Sequence, residues 1–337
     1  MKIENVTTVK SYKNKIYYIK NDGKLFEYNN IESLKESIET NAHIYFSDNR
    51  MYIVSSDNGI LIGTYPSTNS ICNFSISRIE NDLVYFRDGG LFNSVFGLAK
   101  IDRNDFKLLI PLGVLNILVS YNDFVIGEHE DFIVCKNYKE DNLLWKFPLS
   151  ELGVDPYEPQ KADSIKDILG VVNGYLWIQT GAYKIIALNL ENGNKKVVTE
   201  GFHAYLDKRN GKIYTLSSNI VAIIDTLNFI VEEEYNFLEE DSLGIGKYKS
   251  IYAPLHQGDY FTFIAEKEND YGGSRYIGVF DYAKRELVWD YEVFTQEEIN
   301  QTRNKLVPPQ KLYITEDGRK MYIKDFHDTL HVFEREF

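Results

Sequence analysis

The side chains able to do chemistry in this sequence are scattered. His327 and His331 stand four apart in His327-Asp328-Thr329-Leu330-His331. On a helix that spacing turns both rings toward one metal ion. This segment instead crosses a turn into a strand, where residues four apart share a face but lie roughly 13 Å from each other. That separation is too wide for joint zinc ligation at about 2.1 Å per bond. His129 sits between Glu128 and Glu130 in a hairpin, where carboxylates can tune an imidazole, although an exposed turn is the simpler reading. His203 and His256 each fall near the first strand of a repeat unit, a place from which a histidine can meet a small ligand. Gly272-Gly273-Ser274-Arg275 does not fit a nucleophile elbow. Gly244-Ile245-Gly246 lacks the third glycine and the preceding strand of a dinucleotide loop. The expectation is therefore no assigned catalytic residue, no metal and no cofactor.

The most unusual local feature is acidic. Val231-Glu232-Glu233-Glu234-Tyr235-Asn236-Phe237-Leu238-Glu239-Glu240-Asp241 interleaves six acids with two aromatic rings. Charge runs of this kind are commonly solvated faces. They also suit a basic protein partner, because charge steers the encounter and aromatic residues anchor the contact. The candidate protein-binding residues are Glu232, Glu233, Glu234, Tyr235, Phe237, Glu239 and Glu240, with Tyr157 and Tyr271 on two long loops.

Charge over the whole chain points the same way. Lys and Arg number 37 against 50 Asp and Glu, a net charge of −13, which opposes general binding to nucleic-acid phosphates and to anionic lipid. Cys72 and Cys135 sit in separate apolar stretches with no disulfide or metal spacing, so both are read as free, buried small residues. The N-terminal Met1-Lys2-Ile3-Glu4-Asn5 has no apolar targeting core, and no apolar run reaches membrane-spanning length. The expected location is the cytoplasm.

The elements that must position these residues come from a repeat. A turn pair leads into a strand carrying an aromatic or β-branched pair, and this occurs eight times: at Asn14-Lys15, Asn49-Arg50, Asn81-Asp82, Asn122-Asp123, Asn173-Gly174, Asn210-Gly211, Gly258-Asp259 and Asp317-Gly318. Tyr17-Tyr18, Tyr52-Ile53, Tyr85-Phe86 and Trp177-Ile178 are examples of the strands that follow. Four strands fit each unit. In the fifth they are Ile165–Val172, Tyr175–Thr180, Lys184–Asn189 and Lys195–Thr199; in the sixth, Ala204–Asp207, Lys212–Ser217, Ile220–Asp225 and Phe229–Glu233. The last unit holds only three, and Ile3-Glu4-Asn5-Val6 is the candidate for its missing outer strand. The 337 residues divided among eight units give about 42 each, near the length of a propeller blade. The fold class is all-β, a single β-propeller domain over residues 1–337 built from four-stranded antiparallel blades, with eight blades preferred over seven. Asp155–Asp163 and Glu266–Ser274 read as loops. Thr295–Lys305 reads as a short helix, because Thr295 and Glu298 form a capping box, and Ile31–Glu39 as a second short amphipathic helix.

Ile186-Ala187-Leu188-Asn189-Leu190-Glu191-Asn192-Gly193-Asn194 resembles the "A-L-D-x-x-T-G" element of the PQQ-like, quinoprotein-type propeller repeat. The Trp that accompanies that element is matched in Leu143-Leu144-Trp145-Lys146-Phe147 and in Leu287-Val288-Trp289-Asp290-Tyr291. The resemblance implies the scaffold and eight blades. It carries no quinone or calcium site onto this chain, where the adjacent cysteine pair is missing. In general style the chain is also similar to uncharacterised propellers of bacterial competition gene clusters, some of which neutralise a toxin.

Two function classes lead, with a plain structural scaffold or sensor module as a third. The first is a non-catalytic propeller that binds another protein, in its concrete form an immunity protein against a basic toxin. The second is an enzyme acting on a saccharide or another small substrate in a central channel, where a histidine or carboxylates would do acid–base work.

Overall fold

The computed structural model describes every residue except 31, 35–37, 39–41, 48–49, 55–60, 66–74, 81–82, 89–94, 103–104, 114–115, 138, 141, 218–219, 237–245, 269, 271–272, 308–309 and 335–337. The chain divides into two compact units, Met1–Asn73 with Phe237–Phe337, and Phe74–Asn236.

Among the described residues the strands form eight antiparallel sheets, six of four strands and two of three. In the first unit, Val6–Tyr12, Lys15–Lys20 and Leu25–Glu27 make the first sheet, and His43–Ser47, Arg50–Val54 and Leu61–Tyr65 the second. The seventh sheet is Ser250–Gln257, Tyr260–Glu266, Tyr276–Asp281 and Glu286–Glu292. The eighth takes Tyr313–Ile314, Lys320–Lys324 and Leu330–Glu334 from the end of the sequence and Lys2–Ile3 from its start. The second unit holds the third sheet (Ser75–Glu80, Leu83–Asp88, Val95–Asp102, Asp105–Gly113) and the fourth (Asn116–Tyr121, Phe124–His129, Phe132–Asn137, Asn142–Pro148). It also holds the fifth (Ile165–Val172, Tyr175–Thr180, Lys184–Asn189, Lys195–Glu200) and the sixth (Tyr205–Asp207, Lys212–Ser217, Ile220–Asp225, Ile230–Asn236).

Alternation along the middle strands explains how successive sheets pack. In the fifth sheet Leu176, Ile178, Ile186 and Leu188 join the fourth sheet's Ile126, Ile133, Cys135 and Phe147 in one core cluster. The intervening Trp177, Ile185 and Ala187 join Leu206, Ile213 and Ile224 of the sixth sheet in another. Successive side chains of a strand point to opposite faces, so a strand apolar at every position is buried from both sides. The first unit repeats the arrangement between the first and second sheets, between the seventh and eighth, and between the eighth and first.

One bulge recurs. In each of the fourth to seventh sheets the outer strand carries one extra residue opposite the third strand: Leu144, Val198, Glu232 and Val288. An added residue at one place in each outer strand bends and twists every sheet alike.

The predicted N-terminal strand is real and lies slightly earlier than expected. Lys2 pairs with His331 and Ile3 with Leu330, while Val6 already belongs to the first sheet. The first and eighth sheets are also tied directly: Tyr322 Oη donates to Ser11 Oγ at 2.9 Å and accepts from the Ser11 N–H at 3.0 Å. Burial pushes the Tyr322 hydroxyl up to about 12, so it stays protonated and donates.

Helix α1 (Gln296–Thr302) forms where expected, with both halves of the Thr295/Glu298 capping box present. The second candidate helix, Ile31–Glu39, lies mostly outside the described residues; of it only residues 32–34 and 38 are described, and none of these is helical. Leu34 and Ile38 donate their N–H groups to Leu25 and Gly23 oxygens at 2.7 and 2.8 Å. Gly23 (φ +75) permits the approach: a Cβ there would stand 2.5 Å from the Ile38 carbonyl oxygen. The turns at Asn49 and Asn81-Asp82, and Cys72, lie outside the described residues. Cys135 is buried and free, and burial raises its thiol to about 11. Among the described residues no helix is long and apolar enough to cross a membrane.

Candidate functional site

The acidic run falls on the outer strand of the sixth sheet, at the sheet's edge. The bulge at Glu232 resets the alternation, leaving Ile230, Val231, Glu232 and Glu234 exposed and Glu233 half-buried opposite Ile223. Glu232 Oε2 meets Lys212 Nζ at 2.6 Å. Its hydrogen bond and charge raise the lysine above its usual range. Tyr235 is a correction. It pairs with Val221 and is buried, so it packs the sheet rather than standing as a surface anchor. Phe237, Glu239, Glu240 and Tyr271 lie outside the described residues. Tyr157 is 84 % exposed on a separate loop between the fourth and fifth sheets. There Asp155 Oδ1 accepts the Tyr157 and Glu158 N–H groups at 2.7 and 3.0 Å.

The histidines separate sharply. His256 is buried on the first strand of the seventh sheet, its Nδ1 hydrogen-bonded to the Tyr282 hydroxyl and its ring stacked on Tyr282. It is enclosed by protein, not offered to a ligand. His203 is exposed, with φ +45, just before its strand. His129 is partly exposed, with Nδ1 3.9 Å from Glu130 Oε2. His331 is buried, and its Nε2 lies 2.6 Å from Asp325 Oδ2. Burial works to raise the Asp325 carboxyl, but hydrogen bonds from His331, the Thr329 N–H and Asn304 outweigh it and hold the group below the usual carboxylate range. Among the described residues no group of three or more His, Cys, Asp or Glu is placed to hold a metal ion.

A cavity of about 560 Å³ lies within the first unit, at the outer strands of the seventh and eighth sheets. Its aromatic wall comes from Trp289 and Tyr291 on one strand and Phe333 on another. The Trp289 and Tyr291 rings are nearly parallel, with centroids 6.1 Å apart, and Phe333 lies tilted to them at 5.7 and 5.1 Å. Glu292, Glu298, Glu334 and Lys2 supply its charged lining. Glu298 accepts the Thr295 N–H at 2.7 Å and the Thr295 hydroxyl at 3.0 Å, and these bonds hold its carboxyl below the usual range. Glu292 Oε1 faces Arg275 at 3.2 Å.

Sequence reading missed this cavity. The available signal was Trp289 itself. Its counterpart Trp145, on the outer strand of the fourth sheet, donates its indole N–H to Leu190 O at 2.8 Å and covers Gly193 in the fifth sheet's last turn. Among the described residues the eighth sheet has no such turn; its outer strand is Lys2–Ile3 rather than the second arm of a hairpin.

Comparison with known proteins adds fold and nothing finer. No family model matches the chain, and no curated protein matches it. Among solved structures it is similar to the computationally designed Ika8 protein, with 11% identity and TM-score 0.57 over 98% of this chain and 96% of that one. It is similar also to BamB from Moraxella catarrhalis, with 11% identity and TM-score 0.57 over 99% and 98% of the two chains. With the succession of antiparallel sheets, these likenesses show a β-propeller-like, all-β fold.

Proposed function

We propose that this chain is a non-catalytic, protein-binding propeller: one domain of eight four-stranded blades, acting in the cytoplasm on a basic protein partner. Its concrete form is an immunity protein that neutralises a basic toxin. The observation that supports the reading is the outer strand Ile230–Asn236. Ile230 and Val231 are exposed there beside Glu232 and Glu234, on the last strand of the sixth sheet. Exposed apolar side chains release water on contact, and carboxylates steer a cationic surface into place. The net charge of −13 extends the same attraction over a distance.

The test is a calorimetric titration with a purified basic toxin encoded beside the gene. The expected result is tight binding that weakens with salt and falls about tenfold or more in the Glu232→Lys, Glu234→Lys double variant. Binding indifferent to both, or no binding, would reject the reading.

A further inference from the structure

The cavity between the outer strands of the seventh and eighth sheets carries an inference of its own, independent of the protein-binding reading. Its volume of about 560 Å³ falls within the range of small-molecule sites. Three features of its wall agree on the chemistry of the occupant. Trp289, Tyr291 and Phe333 gather three aromatic rings, whose faces are the negative pole of the ring quadrupole. Glu292, Glu298 and Glu334 line the same space, with Lys2 and with Met1, whose N-terminal ammonium donates to Val332 O at 2.7 Å. Glu298 is held ionised by the helix cap, so its charge is in place before any ligand arrives.

Three carboxylates outnumber the two cations of the lining, Lys2 and the Met1 ammonium, and the aromatic rings favour a cation that sheds part of its water. Each carboxylate already has a partner, Arg275 for Glu292, the Thr295 cap for Glu298 and the Tyr28 hydroxyl for Glu334, which fixes them in position. We propose that this cavity binds a small organic cation, an alkylguanidinium or alkylammonium, with its carbon chain along the Trp289–Tyr291 wall and its charged head toward the carboxylates. The wall stands ready without the ligand: Trp289 and Phe333 pack on the core of the seventh and eighth sheets, and His331 behind them is locked by Asp325.

The test is isothermal titration calorimetry of the full chain with agmatine and with spermidine, using maltose as the neutral comparison. The expected result is saturable binding of at least one cation, weakened by salt, with no heat from maltose. Tyr291→Ala should weaken it about tenfold, the scale of a lost cation–π contact. Glu334→Gln is a conservative change at an exposed position and should weaken cation binding while the far-ultraviolet circular dichroism stays unchanged, which keeps the test alive if Tyr291→Ala misfolds. Saturable binding of maltose in place of the cations would assign the wall to sugar stacking and overturn the proposal. Absence of binding by both cations, or equal affinity in both variants and the parent, would also overturn it.

Discussion

Two tryptophans in matching local sequence meet opposite surroundings. Trp145 follows the bulged Leu144 on the outer strand of the fourth sheet, and Trp289 follows the bulged Val288 on the outer strand of the seventh. Trp145 is buried, its indole N–H bonded to Leu190 O, and Phe147 two residues on is buried beside it. Trp289 is half-buried, and Tyr291 two residues on is 49 % exposed on a cavity wall. The difference lies in the neighbour. The fifth sheet turns through Gly193 to reach its own outer strand, and that turn covers Trp145. The eighth sheet takes its outer strand from Lys2–Ile3, and among the described residues it has no equivalent turn to cover Trp289. A repeated packing motif becomes a binding wall where the repeat is completed from the other end of the chain.

This contrast can be broken or sharpened by mutation. Asp325→Ala should have the largest effect, about 3–5 kcal/mol by urea denaturation, because it strands His331 in a buried place behind the cavity. The sign with pH follows from the depressed Asp325 carboxyl. Its contribution is fully present above the ordinary carboxylate pKa of about 3.9 and is lost as pH falls through the lower folded value. The parent should therefore lose stability more steeply than the variant as pH drops below about 4. Next, Trp145→Ala should cost about 3–5 kcal/mol. Trp289→Ala should cost less, about 2 kcal/mol, since that ring is only partly buried. Equal losses in the two variants would dissolve the comparison. The smallest effect belongs to Gly193→Ala. Its φ of +74 disfavours a side chain, and a Cβ would stand 3.0 Å from the Trp145 indole. A loss of about 1–2 kcal/mol is expected, with altered Trp145 fluorescence marking the disturbed contact.

The middle strands were the most legible part of the fold. Tyr175–Thr180, Lys184–Asn189, Lys212–Ser217 and Ile220–Asp225 appear with the bounds their turns and apolar alternation imply. Outer strands were less so. Phe229–Glu233 was expected where Ile230–Asn236 forms, because pairing with Ile220 and Val221 draws acids that look like loop into the ladder. The same pairing buries Tyr235, which composition alone had placed on the surface. Of the candidate site, Glu232 and Glu234 stand exposed as the charge run suggested. The aromatic cavity escaped notice because Phe333 lies more than forty positions along the chain from Trp289 and Tyr291.

The sequence by itself determined the local grammar of this protein: where hairpins turn, which strands are apolar on both faces, and which threonine caps helix α1. These depend on neighbours along the chain, through backbone preference, side-chain alternation and hydrogen bonds a few residues long. Only the tertiary structure decided which tryptophan is covered and which lines a cavity. Burial of an outer strand is set by the sheet beside it, and for Trp289 that sheet is completed by residues at the opposite end of the sequence.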